Sequence, residues 1–226
     1  MIQILMDIDE TMVSVPPGVN VLSSKKMFKK VFNVDAHEDL INNIGKTEMS
    51  IIPEVLLKVG VIIEKVPTKA YFIWSQTLRK ELLLNPVRVL PGISEFLQAL
   101  TLLPKVKLKL LTGNAPLRAM EKLSSGNIEK YFLKPDGSLD GVFGNEATKR
   151  EMLFDILKSR GNKDDKFVIV DDSLLGAEMG KKYSIPMILV ATGKATEKEL
   201  KTYSENVFPD LGENRWKKAI LIIESL

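Results

Sequence analysis

Four short apolar runs recur along the chain, and each stops abruptly at polar residues. Ile2, Ile4, Leu5 and Met6 lead into Asp7-Ile8-Asp9-Glu10-Thr11, and Val106, Leu108, Leu110 and Leu111 lead into Thr112-Gly113-Asn114. Phe167, Val168, Ile169 and Val170 end at Asp171-Asp172-Ser173, and Met187 to Val190 end at Ala191-Thr192-Gly193. Short, nearly continuous apolar runs mark strands covered on both faces, the condition of a parallel sheet between helical layers. Helical spacing lies between them: Ile93, Phe96, Leu97, Leu100 and Leu103 form one stripe, and Met152, Leu153, Ile156 and Leu157 another. Strands alternating with helices predict an α/β fold with a doubly wound parallel sheet. Ligands of such sheets bind outside the carboxyl ends of the strands, so the polar residues after each run are the first candidates for chemistry.

The stretch from about Val19 to Leu84 breaks this rhythm. Met27, Phe28, Val31 and Phe32 mark one helix, Val55, Leu56 and Val59 a second, and Tyr71, Trp74, Leu78 and Leu82 a third, with Thr68 as its expected N-cap. Pro16-Pro17-Gly18 before it, and Pro86 with Pro91-Gly92 after it, are hinge punctuation. The expected organisation is therefore an α/β core from residues 1–15 and 88–226, with an all-helical cap domain, residues 16–87, inserted after the first strand. Lys134-Pro135-Asp136-Gly137 predicts a turn, read as part of a small hairpin continuing to Val142 and Phe143, and Trp216, Ile220 and Ile223 predict a last helix.

Absences narrow the chemistry. With no cysteine, thiolate nucleophiles, disulfides and Cys-ligated zinc are excluded, and a single histidine, His37, cannot build a multi-His metal site. Carboxylates, hydroxyls, Lys/Arg and a hard metal must do any catalytic work. The net charge of +3 comes with no basic stripe interleaved with aromatics, which argues against nucleic acid; Lys25, Lys26, Lys29 and Lys30 read as a solvated helix face. The apolar run at Ile2 to Met6 is too short for a signal peptide, and no stretch approaches the ~20 residues of a membrane span. The expectation is a cytoplasmic protein without a membrane partner, monomeric or homodimeric.

Asp7 and Asp9 alternate on one side of an extended segment, so two carboxylates face one ligand. Taken alone, Asp and Thr after a strand serve as well to cap a helix. In company with Thr112, the basic pair Lys149-Arg150 and the acids Asp171-Asp172, the pattern resembles the haloacid dehalogenase superfamily, whose phosphatases carry these four motifs in this order. The resemblance spans nearly the whole chain, and Gly141-Val142-Phe143-Gly144-Asn145-Glu146-Ala147 with Val190-Ala191-Thr192-Gly193 looks most like phosphoglycolate-phosphatase-like members with a helical cap.

The resemblance implies a Rossmann-like core and a magnesium-dependent phosphatase acting on a small phosphorylated metabolite, with 2-phosphoglycolate the first candidate. It implies Asp7 as the nucleophile forming an aspartyl-phosphate and Asp9 as general acid and base. Thr112, Gly113 and Asn114 would bind the phosphoryl oxygens with a cation, either Lys149 or Arg150, of which Lys149 is preferred. Mg²⁺ would be held by Asp7, the main-chain carbonyl of Asp9 and Asp172, with Asp171 as ligand or support. Asn43, Lys46 and Thr47 in the cap loop are candidates to touch the rest of the substrate. The chain departs from the pattern at Glu10, where the family commonly has Gly, and at Gly176-Ala177, where many relatives carry a further Asp. A phosphomutase or phosphotransferase would use the same residues, and a non-catalytic phosphoacceptor is the reading from another class.

Overall fold

A computed structural model describes residues 1–226. Six parallel strands form one sheet in the order β5-β4-β1-β6-β7-β8. The four expected runs supply β1 (Ile2–Met6), β4 (Val106–Leu111), β6 (Lys166–Asp171) and β7 (Met187–Val190), and the edges are β5 (Gly141–Val142) and β8 (Val207–Phe208). β1 lies at the centre, paired with β4 on one side and β6 on the other.

Alternation explains why these strands are apolar throughout. Ile4, Met6, Val168 and Val170 face one cluster with Phe96, Leu97 and Leu100 of α4 (Ile93–Thr101), Leu123 of α5 (Pro116–Ser125) and Ile223 of α9 (Arg215–Glu224). Leu5, Ile169 and Leu189 face the opposite cluster with Leu153 and Leu157 of α6 (Arg150–Arg160) and Met179 of α7 (Leu174–Lys182). Each such side chain stabilises the fold by about 1.5–3 kcal/mol on burial, which pins the strands and aligns their carboxyl ends.

Residues between β1 and β4 include the helices α1 (Val19–Phe32), α2 (Glu48–Lys58) and α3 (Thr68–Leu84). Met27, Phe28, Ile52, Val55, Tyr71 and Trp74 form their own cluster, while Val19, Leu78 and Leu82 join the core's. The short antiparallel pair β2 (Val13–Ser14) and β3 (Arg88–Val89) ties the two connecting segments together at the base of the helices. A short helix, α8 (Glu197–Leu200), precedes β8. None of the helices is long and apolar enough to cross a membrane.

Two local expectations are corrected. The turn at Lys134–Gly137 forms, with Leu133 bridging Leu139, but Val142 leaves it to pair parallel with Leu111 and so extends the main sheet. The cap position of α3 is Pro67, with Thr68 the first helical residue and no side-chain cap bond; proline's fixed φ suits that extended position without a hydroxyl.

Candidate active site

The carboxyl ends of β1, β4 and β6 meet under the helical insertion and line a cavity of about 320 Å³. Its core wall is carboxylate-rich. Asp7, just past β1, is buried and keeps the ladder through its N–H to the Val170 carbonyl at 3.1 Å. Arg150, the first residue of α6, donates from Nη1 to Asp7 Oδ2 at 3.1 Å and from Nη2 to Asp171 Oδ2 at 2.6 Å and to the Leu111 carbonyl at 2.9 Å. Asp171 is fully occupied, since its Oδ1 accepts from the Ser173 N–H at 2.8 Å and the Ser173 hydroxyl at 2.7 Å. Asp172 Oδ1 accepts from Thr11 Oγ1 at 3.0 Å, which gives the threonine of the first motif a structural task.

Crowding shows in the proton affinities. Burial pushes Asp7 up to about 6, with Arg150 opposing and the charges of Asp171 and Asp9 adding to the rise. Asp172 is driven well above the ordinary carboxylate range by burial and then by repulsion from Asp171 and Asp7, against the Thr11 bond and Arg150. One guanidinium does not balance three buried carboxylates, whose oxygens lie within 4.8 Å of one another. An all-oxygen donor set with surplus negative charge fits a hard divalent cation such as Mg²⁺.

The opposite side holds Asp9. Lys122 of α5 donates to Asp9 Oδ1 at 2.6 Å, Asp9 Oδ2 at 2.7 Å and Asn114 Oδ1 at 2.8 Å, and Asn114 Nδ2 donates to Asp9 Oδ2 at 2.7 Å. Burial would raise the Asp9 carboxyl, but the Lys122 ammonium and these hydrogen bonds win and hold it below its usual range. About a third of the Asp9 side chain, 36%, stays open. Thr112 is wholly buried behind Asn114, its Oγ1 accepting from Asn114 Nδ2 at 2.9 Å, and Gly113 and Asn114 line the cavity itself.

Lys122 and Arg118 were not read from the sequence. They stand four apart on α5, beside the apolar Ala119 and Leu123, and are only 1% and 2% exposed. Buried cations require partners. Arg118 finds Glu48 Oε1 at 3.0 Å and Asn20 Oδ1 at 3.2 Å, and its guanidinium lies 3.9 Å from the centre of the Trp74 ring. Two cations at helical spacing directly after Thr112-Gly113-Asn114, on an otherwise apolar stripe, were the available signal.

The insertion is docked on the core. The Glu48 N–H at the start of α2 donates to the Gly113 carbonyl at 2.9 Å and the Met49 N–H to Gly144 at 2.8 Å. The approach admits no side chain: a Cβ on Gly113 would lie 2.1 Å from the Lys46 carbonyl, and one on Gly144 would lie 1.7 Å from the Gly113 carbonyl. Thr47 is buried in this junction as the residue before α2, pairing with Ser50 Oγ at 3.3 Å, and, unlike Lys46 and Asn43, it does not line the cavity where the substrate contact was expected. Lys46 and Asn43 do line the cavity, with the Lys46 ammonium held by Glu54 at 2.8 and 2.6 Å.

Arg150, not the preferred Lys149, pairs with Asp7. Lys149 is the extended residue before α6 and is exposed, whereas the first helical residue turns inward to the strand ends. The two departures also find their reasons. Glu10 adopts a left-handed backbone, φ 53°, a conformation glycine takes without strain, and its side chain turns aside to accept from Ser14 Oγ at 2.9 Å. At Gly176 a Cβ would fall 2.2 Å from Asp171 Cγ, so a further Asp has no room there.

An α/β core with paired acids at the ends of its central strands, roofed by helices, defines a class of carboxylate-based, metal-fitting hydrolase sites. The chain belongs to the haloacid dehalogenase-like hydrolase family, which it matches over residues 4–190. No curated protein matches it by sequence. Among solved structures it is similar to a hydrolase from Pseudomonas syringae, with 18% identity, TM-score 0.65 and 92% of this chain and 93% of that one covered. It is also similar to CbbY from Rhodobacter sphaeroides, solved with phosphate, with 13% identity, TM-score 0.67 and coverage of 93% and 95%. A Thermotoga maritima protein provisionally assigned as a beta-phosphoglucomutase shares 18% identity at TM-score 0.57, covering 96% and 99%. At these identities the likeness is one of fold.

Proposed function

We propose that the chain is a Mg²⁺-dependent phosphatase of small phosphomonoesters, in which Asp7 is the nucleophile and Asp9 the general acid and base. The observation that carries this reading is the gathering of Asp7, Asp9, Asn114, Arg150 and Asp172 around one cavity from four distant stretches of chain. Asp7, the Asp9 main-chain carbonyl and Asp172 would hold the cation, with Asp171 orienting Arg150. When bound, the cation offsets the repulsion between a carboxylate and a phosphate dianion.

Asp7 attacks phosphorus to form an aspartyl-phosphate, dividing one hard displacement into two easier ones. Asp9 would serve the departing alcohol as acid and the incoming water as base. Lys122 and Asn114 keep it ionised in the ligand-free site, and the entering phosphate dianion, offsetting the Lys122 charge, would raise its proton affinity enough to load it. The Gly113 N–H, Asn114 and Arg150, with Thr112 behind them, supply donors to the transferring oxygens, and the docked helices exclude competing water. A second reading, transfer of the phosphoryl group to a sugar hydroxyl, is supported by the likeness to the Thermotoga protein.

Hydrolysis of p-nitrophenyl phosphate with and without Mg²⁺ tests the proposal. Removal of the metal, or Asp7→Asn, is expected to lower kcat by at least about 10³-fold, the scale seen when a nucleophile is removed. Acid-labile phosphate persisting on Asp7 without turnover would point to a phosphoacceptor instead, and label passing to a sugar hydroxyl rather than to water would point to a mutase.

A further inference from the structure

Glu38 is the one cavity-lining carboxylate that is both buried and wholly unpartnered. It opens a short 3₁₀ turn, Glu38–Leu40, between α1 and α2, and its backbone N–H is anchored to Ser24 Oγ at 3.2 Å. The residue is 5% exposed and lines the same cavity as Asp9, yet its carboxylate makes neither a hydrogen bond nor an ion pair, and Oε1 is sealed from solvent as well. Burial raises its proton affinity; the cations of Arg118 and Lys122 oppose that from a distance.

Neither cation bonds Glu38. The three N–H bonds of Lys122 go to Asp9 and Asn114, while Arg118 gives Nη1 to Glu48 and Nη2 to Asn20 and keeps a buried, unpartnered Nε. A buried carboxylate left without a protein partner is costly, and a ligand group or an ordered water in the cavity relieves that cost. Asn20, one turn before the Ser24 that anchors Glu38 on the same helix, also lines the cavity; its Oδ1 is occupied by Arg118, and its amide N–H groups have no acceptor in the protein.

We propose that Glu38 receives the leaving group of the phosphate ester, accepting a hydrogen bond from a hydroxyl on it while Asn20 donates to that hydroxyl's oxygen, and that esters bearing a carboxylate there are rejected. A hydroxyl both donates and accepts, which matches this pair; a carboxylate only accepts and meets Glu38 as a like charge. The inference rests on the phosphate-ester reading of the site and narrows it toward hydroxylated esters, away from 2-phosphoglycolate.

The test compares kcat/KM for sn-glycerol 3-phosphate and 2-phosphoglycolate, with Mg²⁺, in the wild type and in Glu38→Gln. The wild type is expected to favour the glycerol ester by about 100-fold, the scale of a like-charge clash in a desolvated site. Glu38→Gln keeps the shape and removes the charge, so the preference should fall to about tenfold or less through a gain on 2-phosphoglycolate. Equal use of the two esters by the wild type, or a ratio that Glu38→Gln leaves unmoved, overturns the proposal.

Calorimetric binding of the same two esters to Asp7→Asn, with and without Glu38→Gln, separates it from the phosphatase reading. If no ester is hydrolysed but the glycerol ester still binds more tightly through Glu38, the phosphatase reading falls and this one stands. If esters are hydrolysed with no such preference, this one falls alone. If neither ester binds, both fall.

Discussion

The core wall and the cap wall of the cavity are built on opposite principles. On the core side every carboxylate has a partner: Asp7 and Asp171 share Arg150, Asp172 takes Thr11, and Asp9 takes Lys122. On the cap side Glu48 is paired with Arg118, but Glu38 has nothing. Paired groups at the ends of buried strands hold fixed positions, as a reacting centre requires. An unpaired group on a short turn waits for a ligand, as a selecting surface requires. In the function proposed above, the core wall would carry the chemistry and the cap wall the choice among substrates.

The sharpest way to break this comparison is at Arg150. Arg150→Met leaves Asp7 and Asp171 buried without a counter-charge and is expected to destabilise the protein by about 3–5 kcal/mol, the cost of breaking a buried ion pair from one side. Lys149→Met, one residue earlier but exposed, should stay within about 0.5 kcal/mol of wild type. Denaturant unfolding of both reads the difference, and equal effects would mean that the pairing is misassigned.

Lys122→Met comes next. It removes three hydrogen bonds around Asp9 and Asn114, so kcat on an aryl phosphate should drop by about 10²-fold, the lower end of what general acid–base groups contribute. A change confined to KM would instead make Lys122 a substrate contact.

The smallest effect belongs to the cap. Because burial raises the Glu38 carboxyl, the unfolded chain ionises first as pH rises, and wild-type stability declines once pH passes the ordinary carboxylate range. Glu38→Gln should therefore melt above wild type at neutral pH, by about 1 kcal/mol of stability, with the gap closing in acid. A variant less stable at every pH would show that Glu38 supports the fold rather than awaiting a ligand.

The strands and the polar residues at their ends were legible because period and position suffice: a buried parallel strand must be apolar on both faces, and its first polar residue must emerge at the carboxyl end. That logic found Asp7, Asp9, Asn114, Asp171 and Asp172. It could not choose between Lys149 and Arg150, since adjacent residues at a helix start differ only in which way the helix turns. It also missed Arg118 and Lys122, whose burial is explained only by the partners that meet them, Glu48, Asn20, Asp9 and Asn114.

By itself, then, the order of apolar and polar residues determined a doubly wound sheet, a helical insertion and a ring of acids at the strand ends, because these follow from local periodicity. Only the tertiary structure decided which cation faces Asp7, that Thr47 is sealed in a backbone junction, and that Glu38 stands alone. Pairing between residues far apart in the chain depends on three-dimensional distance, and spacing along the sequence can mark a residue as buried without naming its partner.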